Sequence, residues 1–271
     1  MITLDEFKNI DQEVKHAIDE VLNHIKLTSQ NYILLLANGE YMSSLNETRL
    51  NPYAIDSAED GYIDRTRREF FSGFMNEAYS FPNGSSINSD SNAIQLELMI
   101  YCHIWESKPF LKTLYRLATL TLGRSYPWDV EVPRSGKEDF IRNVIIDTFK
   151  NKGLQIGKVM TNGFHSSLRN AFAHSDYYFG YSRKEIKLTN YTGKKWELSS
   201  IMFADWRKRF AYSALLSHYL LNNLYERRIN VIKEFNRDEF PIIHPIGSNR
   251  FKVRYIKYFP ETDHFNFLRF R

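Results

Sequence analysis

Cysteine is almost absent: Cys102 is the single thiol in 271 residues. That excludes an intrachain disulfide framework and a cysteine-rich zinc site. It sits in the apolar run Met99-Ile100-Tyr101-Cys102, which predicts a buried, unreactive thiol. Long apolar runs are missing too, and no stretch reaches the length of uncharged residues needed to cross a bilayer. The start, Met1-Ile2-Thr3-Leu4-Asp5-Glu6, has neither the basic nor the apolar region of a secretory signal. The expectation is a cytoplasmic chain with no membrane partner, in which the sequons at Asn46, Asn83 and Asn190 have no secretory context. There is no Walker-type loop, no dinucleotide fingerprint and no nucleophile elbow, so those enzyme classes are set aside. Internal repeats and low-complexity segments are also lacking. The net charge of +4 permits an anionic partner without demanding one. A dedicated duplex-binding protein carries a stronger clustered excess.

What is present is an ordinary globular composition, 43% hydrophobic and 25% charged, long enough for one large domain or two small ones. Aromatic residues at 15% are abundant; most are expected in the core, although such rings also stack on unpaired bases. Thr3 and Glu6 have capping-box spacing, and Phe7, Ile10, Val14, Ile18, Val21 and Ile25 follow on one face, predicting a helix over 4–27. Ile33-Leu34-Leu35-Leu36 reads as a strand or a helical turn. A helix is expected over 61–79 with Tyr62, Phe70, Phe74 and Ala78 inward, then a polar loop from Pro82 to about Asn92. Further helices are predicted over 92–106 and 108–122, with Pro109 in a first turn and Gly123 as a C-cap. Ser135 and Glu138 form a second capping-box match and start a helix with Phe140, Val144 and Ile145, which Gly153 and Gly157 interrupt or loosen. Alternation over 185–189 and 195–198, joined across Asn190-Tyr191-Thr192-Gly193, predicts a hairpin. A helix capped by Ser199 or Ser200 is expected to reach about residue 234, with Phe203, Trp206, Phe210, Leu221 and Leu224 inward. The alternating run 251–255 after Gly247-Ser248-Asn249 closes the chain. The expected fold class is mainly α: a helical bundle with an inserted β-hairpin and a small C-terminal β appendage.

The segment that carries chemistry is Ser166-Ser167-Leu168-Arg169-Asn170-Ala171-Phe172-Ala173-His174-Ser175-Asp176-Tyr177. On a helix Asn170 and His174, four residues apart, share a face. Arg169 is one residue round and can swing to the same place, and the two alanines leave room for a neighbour. Imidazole changes charge near neutrality and can take or give a proton, while guanidinium grips phosphate.

This run resembles the HEPN superfamily, whose members share a helical bundle and an Arg, four to six residues, then His motif, with a polar residue after the arginine in the nucleases. The resemblance implies a HEPN-like core over 92–235 and does not account for the N-terminal helical extension over 1–91 or the β-like appendage over 236–271. It implies a metal-independent endoribonuclease that needs no cofactor and leaves 2′,3′-cyclic phosphate and 5′-hydroxyl ends. Arg169, Asn170 and His174 would be catalytic, and His165, Ser175, Tyr177 and Tyr178 would contact RNA. It further implies a homodimer with a composite site, a toxin or antiviral role, and an antitoxin or other regulatory partner. The alternatives are a non-catalytic HEPN module that binds nucleotides or a partner, and a helical scaffold in which the motif is structural.

Each residue also has a plainer reading. Arg169 and His174 near a helix end can cap carbonyls or pair with an acid such as Asp176. His165 can be a surface histidine, and Tyr177, Tyr178 and Tyr181 can pack at a junction. His103 and Glu106 have helical ligand spacing but no partner ligands, and Trp105 beside them points to core. Arg65, Arg67 and Arg68 suit a solvated face. Arg237 and His244 fit the loose motif too, but Pro241 between them forbids one continuous helix.

Overall fold

The computed structural model describes residues 2–27, 29–47, 50–56, 66, 69–70, 73–81, 91–180, 182–247 and 250–268. The expectations for Tyr62, for Arg65, Arg67 and Arg68, for the loop residues 82–90, for Tyr181 and for the turn residues Ser248 and Asn249 fall outside these. Helices dominate, with small antiparallel sheets beside them. No described helix is long and apolar enough to cross a membrane.

Helix α1 (Leu4–Lys26) forms as its pattern requires. Thr3 Oγ1 accepts from the Glu6 amide at 3.2 Å, and the Glu6 carboxylate accepts from the Thr3 amide at 2.9 Å, so two amides left free by the first turn are satisfied. The face from Ile10 through Val14, Ile18 and Val21 to Ile25 is buried, each side chain contributing roughly 1.5–3 kcal/mol. The ambiguous run at 33–36 is helical, in α2 (Ser29–Leu36). A short bridge of β1 (Glu40–Tyr41) with β2 (Tyr53–Ala54) flanks α3 (Ser43–Glu47). In the described part of the predicted 61–79 helix, Phe74 packs edge-on against Phe210, whereas Phe70 is exposed rather than inward.

Helices α4 (Ser91–Glu106) and α5 (Lys108–Thr121) match expectation, with Pro109 in the first turn and Gly123 at φ 71° after the last. Helix α6 departs from it. It starts at Lys137–Asp139, winds as a π-helix over Phe140–Ile146 and ends as Asp147–Asn151. The expected capping box at Ser135 does not form, because Gly136 in the left-handed region takes the cap without a side-chain bond. The wider π winding also turns the buried face to Ile141, Ile145 and Ile146, leaving Val144 exposed. Gly153, at φ 70°, stops the helix.

Next come α7 (Gln155–Gly163), α8 (Ser166–His174), and a sheet of β3 (Tyr177–Gly180), β4 (Glu185–Leu188) and β5 (Ser200–Met202) in sequential order. The predicted hairpin is thereby corrected. Strand β4 pairs with β3 before it, and its later partner is β5 rather than 195–198. Alternation alone could not see that Tyr177-Tyr178-Phe179 would satisfy the free edge of β4.

The long helix α9 (Phe203–Ile229) follows β5 directly, so residues 200–202 are a strand and not a cap; a short α10 (Val231–Phe235) succeeds it. Phe203, Trp206 and Phe210 are buried as predicted, while Leu221 and Leu224 are only partly covered. Helix α1 lies along α9 and is tied to it by Tyr212 donating to Glu13 at 2.9 Å and by the Arg227–Asp19 pair at 3.1 Å. The chain ends in a sheet of β6 (Glu239–Gly247), β7 (Arg250–Phe259) and β8 (His264–Phe267). His244 lies in β6, fully buried, with Nε2 2.9 Å from the Tyr53 carbonyl. The second Arg/His spacing match is therefore not helical, as its proline demanded.

Candidate functional site

Helix α8 is short because both ends are closed. At its start the Nδ1 of His165 accepts from the Ser167 amide at 3.2 Å. At its end Ser175 turns left-handed at φ 60°. The Asp176 amide then reaches back to the Ala171 carbonyl at 2.7 Å and the Ser175 amide to that of Phe172 at 3.3 Å. His174 is the last helical residue and is exposed, its imidazole making no hydrogen bond or ion pair among the described residues.

The apolar face of α8 packs on α4. Phe172 sits edge-on to both Tyr101 and Trp206. The contacts run from Glu106 with Arg169, through Tyr101 with Phe172, to Gln95 with Tyr177, so the two helices are antiparallel. A glycine lets the end of α7 press on α9 just before α8 begins: a Cβ on Gly163, the last residue of α7, would stand 2.9 Å from Ser213 Oγ on α9. That hydroxyl also accepts from Trp105 Nε1 at 3.1 Å. Trp105 is fully buried, as expected.

Three groups meet around Arg169. Its Nη1 donates to Asn170 Oδ1 at 2.6 Å, and its Nε pairs with Oε1 of Glu106. The other oxygen of Glu106 takes Lys137 from the first turn of α6. Two cations thus share one carboxylate, leaving net positive charge beside a helix face that also carries Asn170 and His174. The Arg169 side chain is 17% accessible. Glu106 spends both oxygens on cations, and its suspected ligand partner His103 is exposed. Among the described residues no cluster of three His, Cys, Asp or Glu is placed to hold a metal ion. Cys102 is half-buried and donates to the Arg169 carbonyl at 3.8 Å; burial and the Glu106 charge push its thiol up to about 12.

The remaining sequence-predicted residues are distributed along α8 and beyond. Ser175 adjoins His174. Tyr177 packs on Phe172 and its hydroxyl accepts from Gln95 at 2.5 Å, whereas Tyr178 points outward with Lys187 Nζ 5.9 Å from its ring centre. His165 stands at the opposite end of the helix from His174, about 13 Å away along the axis. It is largely buried near Arg209 and Arg142, and burial together with those two cations lowers its imidazole to about 4.

The lowered imidazole makes stability depend on pH. The unfolded chain binds a proton at His165 near pH 6.5, the folded chain only near pH 4, so stability is full above about 6.5 and falls as the pH drops through that window. His165→Asn keeps a capping oxygen but cannot titrate. Between pH 7 and pH 5 the wild type should lose on the order of 2 kcal/mol more than the variant in paired denaturant melts. Parallel pH profiles for the two proteins would refute this assignment.

Lys137, Arg142 and the pairing role of Glu106 have no signal in the linear sequence, because they reach α8 from other helices. Compared with family models, with curated proteins and with solved structures, this chain matches none.

Proposed function

We propose that the chain is a metal-independent endoribonuclease of the HEPN type, with His174 and Arg169 at the reacting phosphate. The observation that carries this reading is the assembly on α8 of an exposed His174, its imidazole without a partner among the described residues, one helical turn from Asn170, which is itself bonded to Arg169 at 2.6 Å. RNA supplies its own nucleophile. The 2′-oxygen loses its proton to a base, attacks the adjacent phosphorus, and the bond from phosphorus to the 5′-oxygen breaks. That oxygen takes a proton, leaving a 2′,3′-cyclic phosphate and a 5′-hydroxyl. His174 serves one of the two proton transfers. The guanidinium of Arg169 stabilises the charge gathering on the phosphoryl oxygens, and Asn170 holds its fork in place.

A second imidazole for the other transfer comes, on this reading, from a second copy of the chain. The exposed side chains of Leu96 and Met99, the latter 64% accessible, lie on α4 beside α8 and suit a dimer contact. A second reading, a non-catalytic module that binds nucleotides or a partner, draws support from the Glu106 pairing, which neutralises part of the Arg169 charge in the free protein.

The deciding experiment incubates the wild-type chain with end-labelled single-stranded RNA in EDTA. Cleavage leaving cyclic-phosphate ends is the expected result. Intact RNA, with the protein shown to be folded and the RNA shown to bind, supports the binding module instead.

A further inference from the structure

Trp196 and Arg142 take no part in the proposed cleavage, yet they stand at the other end of the same helix from His174. Of the four tryptophans, Trp105, Trp128 and Trp206 are buried, and Trp196 is 44% exposed. Two cations face its ring: the guanidinium of Arg142 at 5.8 Å from the ring centre and the ammonium of Lys194 at 5.4 Å. An accessible indole flanked by cations is the composition that holds unpaired bases, the ring stacking and the cations taking the phosphates on either side.

The platform is fixed relative to the motif. Leu198 donates its amide to Ser167 Oγ at 3.3 Å, and Asn190 Nδ2 donates to the Ser167 carbonyl at 3.2 Å, which staples the Trp196 loop to the first turn of α8. Arg142 Nη2 donates to Ser166 Oγ at 2.9 Å. One helix delivers both cations here: Lys137, in the first turn of α6, reaches Glu106, and Arg142, in the π-wound stretch that follows, reaches Ser166.

We propose that Trp196, Arg142 and Lys194 form a binding site for single-stranded RNA, one base stacking on the indole and the strand then running along α8 to His174. Ser166 and His174 are eight residues apart, about 12 Å along the helix, so one short strand spans both. A duplex keeps its bases stacked on each other and offers no free face to an indole. The identity of the strand as RNA rests on the nuclease reading; the stacking site itself does not.

The test uses the His174→Ala protein, so that the strand survives, and a fluorescein-labelled oligouridine followed by anisotropy and by tryptophan emission. Binding should quench the exposed indole. Trp196→Ala in that background should weaken affinity roughly five- to a hundredfold, with Trp196→Phe restoring most of it. Arg142→Ala should weaken binding and reduce the salt slope by about one. An unchanged affinity in Trp196→Ala, no binding by the parent, or equally tight binding of a duplex of the same length overturns the site. Cleavage by the wild type with Trp196-independent binding removes this site and leaves the nuclease; Trp196-dependent binding without cleavage does the reverse.

Discussion

Substituting His174 by alanine is expected to slow RNA cleavage by roughly two to four orders of magnitude, the usual worth of a positioned acid or base. Stability should move by no more than about 0.5 kcal/mol, because the imidazole is exposed at a helix end and has no partner among the described residues. Arg169→Ala should cost roughly two to three orders of magnitude through lost stabilisation of phosphoryl charge. Unlike His174, it also gives up its pair with Glu106 and its bond to Asn170. Glu106 keeps Lys137, and the carboxylate is partly accessible, so the folding cost stays near 1 kcal/mol or below. Arg169→Lys keeps the charge but loses the fork and should recover only part of the rate. Rates measured on one labelled strand, beside melting curves of each variant, separate chemistry from folding. A His174→Ala protein that cuts at the wild-type rate would exclude this imidazole from the reaction.

Glu97→Ala should give the largest loss of stability. The Arg207 guanidinium is wholly buried, and its nitrogens find no hydrogen-bond partner among the described residues; what balances its charge there is Glu97, with Oε1 3.5 Å from Nε. By distance this is an ion pair, and the missing hydrogen bond means that the balance is Coulombic. Glu97 is buried as well and accepts from Tyr79 Oη at 3.2 Å and Trp206 Nε1 at 2.9 Å. Burial, with the Glu97 charge adding to it, holds the Tyr79 hydroxyl well above its ordinary range, so it remains a donor. Removing the carboxylate strands a cation and two donors together, a loss of about 3–5 kcal/mol. The paired change Glu97→Met with Arg207→Met should recover most of it, since apolar replacement of a whole buried pair is near neutral or better. Urea unfolding of the single and double variants tests both statements. A Glu97→Ala midpoint equal to wild type would show that the charge of Arg207 is balanced elsewhere. The effect would reach the candidate site, because Trp206 supports Phe172 in the middle of α8.

How much was legible in the sequence varies with the range of the interaction that decides each feature. Helix α1 was readable to within a residue because its cap and its apolar face are local. The same holds for α4 and α5, and for the exclusion of Arg237 and His244 as a helical pair, since proline acts on its own backbone. Val144 was placed inward on a 3.6-residue period that α6 abandons for π winding. The hairpin at 185–198 was misread because strands pair with whatever edge is free, and the edge of β4 is taken by β3. Leu221 and Leu224 fall outside the densest packing because the lower half of α9 is less enclosed than its start.

By itself the sequence determined that this is a mainly helical chain, that Asn170 and His174 share a face of one helix, and that Arg169 stands one residue round from Asn170. Helical periodicity and capping are set by neighbours three or four residues away, so a linear reading can find them. Only the tertiary structure decided which charges surround that face. Glu106 on Arg169, Lys137 on Glu106, Arg142 on Ser166 and Trp196 beside Arg142 all come from elements distant in the chain. Such contacts form when buried apolar faces bring helices together, and that packing, not local spacing, chooses which polar side chains become neighbours.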